Sequence, residues 1–87
     1  MKNYPNPFNP NTTISFDLSE ARNVELVIYD ILGREVITLI SSQHIAGQHK
    51  GVWNASNVAS GVYFYRLVVR QDGILSYKET KKLVVLK

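Results

Sequence analysis

Apolar side chains recur at every second position in run after run of this chain. Between Thr13 and Leu18, Ile14, Phe16 and Leu18 share one face, and Ser15 and Asp17 the other. From Val24 to Tyr29, Val24, Leu26 and Ile28 point one way and Glu25 the other. The strongest run is Gly61 to Arg70, where Tyr63, Tyr65, Leu67 and Val69 oppose Arg66 and Arg70. Period 2 marks a strand with one buried face, because successive Cβ atoms leave the pleated backbone on opposite sides. No window carries the i, i+3, i+4, i+7 pattern over the roughly 10–12 residues a helix needs. Six to seven short strands in 87 residues predict an all-β fold, an antiparallel immunoglobulin-like β-sandwich.

Turn signals separate the runs. Ser19–Asn23 is polar, and Asp30–Arg34 contains Gly33 as a candidate left-handed turn position. Val36–Ile40 is expected as a third strand and Ser41–Gly47 as a loop. His49–Asn54 carries Trp53, the single tryptophan and the best core candidate. Ala55–Ser60 is small and polar, and reads as another loop. Asp72-Gly73 signals a tight hairpin, from which Ile74–Leu86 returns as one strand or a pair. Residues 1–11 read as a leading linker, made semi-rigid by Pro5, Pro7 and Pro10, with Phe8 as an anchor onto the first strands. The domain proper is expected over 12–87.

One run breaks the alternation. Lys81-Lys82-Leu83-Val84-Val85-Leu86-Lys87 is a β-prone apolar tetrad between lysines. Both faces of Leu83-Val84-Val85-Leu86 are apolar, so it is either a central strand of a two-sided core or a segment that another molecule reads. The flanking lysines are also a device that keeps sheet edges from adhering to one another.

The chain is long enough for one domain and no more. A domain of about 60 residues buries only about 60% of its unfolded surface, so a core this small must be well patterned. A hydrophobic content of 45% with 20% charged residues is that of a folded domain, which argues against disorder. The net charge of +3 is spread along the chain apart from Lys78, Lys81, Lys82 and Lys87, too thin a footprint for nucleic acid. With no cysteine, no disulfide or thiolate site exists. Met1-Lys2 leads into Asn3-Tyr4-Pro5 instead of an apolar run, so an export address is expected upstream, in a longer parent. No apolar stretch approaches the ~20 residues of a membrane helix.

Catalytic constellations are not apparent. His44 and His49, at odd spacing, are expected on opposite faces of one strand, without the convergent ligands zinc requires. Ser41, Ser42, His44 and Asp30 supply the residue types of a hydrolase triad, but triads are defined by geometry. Asp17, Glu20 and Glu25 flank a turn or face solvent, and the five glycines form no phosphate-cradling motif. Asn11-Thr12-Thr13 and Asn54-Ala55-Ser56 match the glycosylation pattern and read as loop residues. The expectation is a non-enzymatic module with no metal, no cofactor and no small-molecule substrate, suited to binding, spacing or sorting.

Five segments in order resemble one family. They are Tyr4-Pro5-Asn6-Pro7-Phe8-Asn9-Pro10; Val27 to Val36 with its Asp30-Ile31-Leu32-Gly33-Arg34 core; Ala46-Gly47-Gln48-His49 leading to Trp53-Asn54; Ala59 to Leu67; and Lys81 to Lys87. Together they are similar to the type A C-terminal sorting domain of the type IX (Por) secretion system, and to the related immunoglobulin-like domain of the flagellar hook-cap protein. The resemblance implies a module at the end of an exported Gram-negative cargo protein. That parent enters the periplasm by a signal peptide and is recognised by the outer-membrane translocon. A surface sortase then commonly removes the domain and joins the cargo to an anionic lipopolysaccharide, leaving it secreted or on the cell surface. The resemblance marks residues 3–10 as the cargo junction and Lys81, Lys82, Leu83, Val84, Val85, Leu86 and Lys87 as the segment the translocon reads. Gly33, Gly61 and Tyr63 match framework positions, joined by Trp53 and Tyr65 from the core pattern. The alternatives are a structural or adhesive accessory module, a hook-cap-like assembly domain, or a module that self-associates by strand addition at an edge.

Overall fold

A computed structural model of the chain describes residues 2–4 and 11–86. Seven strands run through them: β1 (Lys2–Tyr4), β2 (Asn11–Leu18), β3 (Arg22–Asp30), β4 (Glu35–His44), β5 (Gly47–Asn54), β6 (Gly61–Gln71) and β7 (Ile74–Val85). Every pairing is antiparallel. Three strands form one sheet in the order β1-β2-β5, and four form the other in the order β4-β3-β6-β7. No helix occurs among the described residues.

The core lies between the sheets, where the alternation places it. Ile14, Phe16 and Leu18 of β2, with Trp53 of β5, face Val24, Leu26 and Ile28 of β3 and Tyr63, Tyr65, Leu67 and Val69 of β6. Leu83 and Val85 of β7 complete it. The Trp53 and Tyr63 rings meet edge-on with centroids 5.4 Å apart, the geometry favoured by the ring quadrupoles. Gly51 lets the sheets close: a Cβ there would stand 2.8 Å from Leu26 Cδ2 and 3.4 Å from Ile40 Cδ1.

Several expectations change. Residues 2–4, read as linker, pair with β2, while the remaining linker residues, Phe8 among them, lie outside the described residues. Ser41–His44 is strand, not loop, and pairs with Arg22–Glu25. The polar run hides this, because β4 is an edge strand and half of its surface stays wet. The connection to β5 shrinks to Ile45-Ala46, so His44 and His49 stand on different strands and face each other with ring centroids 4.8 Å apart. Asn11 and Asn54, read as loop residues, are paired strand ends. Ile74–Val85 is one strand, with a register shift between Val69 and Arg70. The hairpin before it is tight, Asp72 and Gly73 both having positive φ (51° and 78°).

Candidate recognition strand

β7 is an edge: β6 lies on one side, and no strand lies on the other among the described residues. That excludes a central strand as the reason for its two apolar faces. Leu83 and Val85 are fully buried, with 0% exposure. Val84 is half-buried on the outer face beside Val62, and Leu86, just past the strand, is 52% exposed. The ladder with β6 is unbroken from Tyr77 to Val85, giving a regular edge over that length.

The framework residues hold this strand directly. Gly61 pairs with Val85, Tyr63 with Leu83 and Tyr65 with Lys81. Gly61 opens β6 at φ 153°, and Tyr63 donates its hydroxyl to the Ala59 carbonyl at 2.7 Å, pinning the loop that precedes it. Trp53 acts through Tyr63. Gly33 does not touch this region. It occupies the β3–β4 turn at φ 82°, where a Cβ would be strained. There the Asp30 carboxylate accepts from the Leu32 and Arg34 amides and from Arg34 Nε, each at 2.9 Å. The Arg34 amide, foremost, holds Asp30 below the ordinary carboxylate range.

Charge is distributed by face. Lys82 lies on the outer face of β7 with Thr80 and Val84, while Lys81 alternates onto the inner side and pairs with Glu79 at 3.4 Å. Thr80 accepts from Arg66 Nε at 3.2 Å, and the Arg66 guanidinium sits 4.8 Å from the centre of the Tyr29 ring, a cation–π contact. Tyr77 donates its hydroxyl to Glu79. That bond, followed by Lys81, holds Glu79 below its ordinary range and raises Tyr77. Tyr65 is raised by burial and by the Glu79 charge. Lys87 lies outside the described residues.

Among the described residues, no enzyme-like constellation forms. Ser42 Oγ is 3.4 Å from His44 Nδ1, but Asp30 lies at the far end of β3, roughly 26 Å away by strand rise. Among the described residues, no three His, Cys, Asp or Glu side chains converge as a metal would require. Two features escaped the residue pattern. Ile31 and Leu32, 69% and 73% exposed, crown the Asp30 turn at the end of the sheet where β7 finishes. Their signal was an apolar pair inside a turn motif. Gly51 was the other, and only the opposite sheet reveals what it is for.

A family model described as Secretion system C-terminal sorting domain matches residues 2–86. No curated protein and no solved structure shows significant similarity to the chain.

Proposed function

Since this chain belongs to the C-terminal sorting domains of the Por (type IX) secretion system, a non-catalytic family, we propose that β7 is the part its machinery reads. Such a domain marks cargo for secretion or the cell surface of a Gram-negative bacterium. The observation that carries the proposal is a regular edge strand whose apolar residues exceed what the core takes up: Leu83 and Val85 go inward, and Val84 and Leu86 remain outside. The sandwich holds this strand in a fixed register, so little ordering entropy is lost when a partner docks. A partner docking along β7 would take its specificity from the outward Val84 and Leu86 side chains and the Lys82 ammonium. In this reading the translocon makes the contact after the cargo has entered the periplasm. The sortase then acts on the junction with the upstream cargo, at or before residues 3–10, and 12–87 form the body of the module.

The test fuses residues 3–87 to a periplasmic reporter in a host with this secretion system. Lys82→Ala and Leu86→Ser, separately and together, are expected to melt like the parent sequence while the reporter accumulates in the periplasm. Normal secretion of the folded double variant would show that β7 is structural only.

A further inference from the structure

Turn tips are ordinarily built from polar residues and glycine, and the β3–β4 turn is not. Ile31 and Leu32 stand side by side at its tip, both largely exposed. The turn is closed beneath them and holds them away from the core. The Asp30 amide donates to the Arg34 carbonyl at 2.9 Å and the Gly33 amide to the Asp30 carbonyl at 3.0 Å. The Asp30 carboxylate takes the Leu32 and Arg34 amides and Arg34 Nε. The result is a convex aliphatic tip on a fixed base. Beside it, on the outward face of the four-stranded sheet, the cross-strand row Tyr29, Phe64 and Lys82 sets two half-buried rings next to a lysine. Arg66 lies over Tyr29, and the Arg34 side chain is exposed at the turn itself. Along that whole face, among the described residues, Arg66, Arg70, Lys78 and Lys82 outnumber Glu25 and Glu35. Arg70, Lys78 and Lys82 make no ion pair among the described residues.

We propose that this end of the sandwich docks on an anionic phospholipid surface. Ile31 and Leu32 enter the boundary between headgroups and acyl chains, Tyr29 sits at the headgroup level, and Arg34, Arg66 and Lys82 meet the phosphates. Shape and charge choose this occupant. A second copy applied to the same face would set like cations against one another. A small molecule needs concave walls, and this tip protrudes. An acidic protein would suit the cations but would have to offer a preformed pocket to two aliphatic side chains, whereas a bilayer interface yields to them. Docking of this kind is weak and reversible, since two side chains bury less apolar surface than one acyl chain. It turns the Asp30 end of the sheet to the bilayer and leaves the Asp72-Gly73 hairpin, at the opposite end, pointing away. Only Lys82 is shared with the surface proposed for the secretion machinery, and the docking does not depend on that reading.

The test mixes the 87-residue chain with vesicles of phosphatidylcholine alone, or of phosphatidylcholine with phosphatidylglycerol, and separates bound protein by flotation. The chain should float with the anionic vesicles, less so as salt is raised, and stay behind with the neutral ones. Ile31→Ser combined with Leu32→Ser should melt close to the parent, because both residues are exposed, and should lower the bound-to-free ratio at least about tenfold. Leu32→Trp supplies a second readout. Its emission should shift to the blue on anionic vesicles and be quenched by bromine-labelled acyl chains, while Trp53, buried in the core, stays unchanged. No flotation of the parent chain, or no quenching in Leu32→Trp, would overturn the proposal. Undiminished binding by the doubly substituted chain would also overturn it, reducing the effect to a general attraction of the +3 chain. If the parent ignores vesicles and the double substitution still holds a secretion reporter in the periplasm, the tip belongs to a protein partner and the lipid reading falls.

Discussion

β4 and β7 are the two edges of one sheet, and they are finished in different ways. β4 is interrupted against β3 between Leu26 and Val27 and again between Ile28 and Tyr29, and its second half is Ser41-Ser42-Gln43-His44. Only Val36, Leu39 and Ile40 lean on the core. Irregular pairing and polar side chains make an edge a poor template for another strand. β7 has a regular ladder from Tyr77 to Val85, full burial of Leu83 and Val85, and apolar residues left over outside. An edge that only needed protection would resemble β4. Under the proposed function, that difference is what suits β7 to being read, with Lys82 limiting indiscriminate pairing.

The comparison breaks most directly if β7 is not anchored to the core. Trp53→Ala removes the ring that supports Tyr63, the partner of Leu83, and should cost about 3–5 kcal/mol. Leu83→Ala should cost about 2–5 kcal/mol, whereas Leu39→Ala on half-buried β4 should cost less. Against a total stability of about 5–15 kcal/mol, the first two endanger folding. Denaturant unfolding measures all three, and a loss under about 1 kcal/mol for Trp53→Ala would remove the premise that the core holds β7.

These residues were legible in the sequence because burial on one face imprints period 2, and Ile14, Phe16, Leu26, Ile28, Tyr63, Tyr65 and Leu67 all lie where that pattern placed them. Ser41–His44 was not legible, since an edge strand can be held by its backbone ladder without an apolar stripe. Which strands are edges was hidden for a related reason: pairing is a property of the backbone and of distant segments. The Leu83–Leu86 tetrad announced that something was unusual, and only the position of β7 in the sheet removed the reading of a central strand. The facing of His44 and His49 depended on a two-residue connection that the polar run concealed.

Gly51→Ala tests how closely the other sheet packs beneath β3 and β4. The new methyl meets Leu26 Cδ2 at 2.8 Å, and the side chain must shift within a filled core. Such overpacking should cost about 1–3 kcal/mol in the same unfolding measurement. A neutral result would mean that the sheets can separate locally on the β4 side.

Acid should loosen the molecule by a smaller amount. Asp30 and Glu79 both have folded pKa values below their unfolded ones, so the stability they contribute is present above the unfolded carboxylate range and lost as pH falls through the folded values. Tyr77 and Tyr65 are raised, so their contribution holds below the ordinary tyrosine range and disappears as pH rises through the folded values. Tyr77→Phe removes the largest cause of the Glu79 shift and should flatten the acid limb of a melting-temperature profile. Asp30→Asn should flatten it through the β3–β4 turn. A profile identical in Tyr77→Phe would show that the Tyr77–Glu79 bond does not persist in solution.

The smallest effect on stability belongs to the residues on which the edge comparison depends most. Leu86, beyond the end of β7, and Ile37, on β4, are 52% and 42% exposed, and neither belongs to the buried core. Replacing either by Ser should cost about 1 kcal/mol, less than the core truncations, because roughly half of each residue stays exposed. If the two edges were equivalent surface, both variants would also be secreted normally as reporter fusions. If β7 is the strand that is read, Leu86→Ser should retain reporter in the periplasm and Ile37→Ser should release it. Equal melting with unequal secretion separates recognition from folding, since the small packing loss is then common to both variants. The opposite pattern, with Ile37→Ser retained and Leu86→Ser released, would transfer the recognition surface to β4.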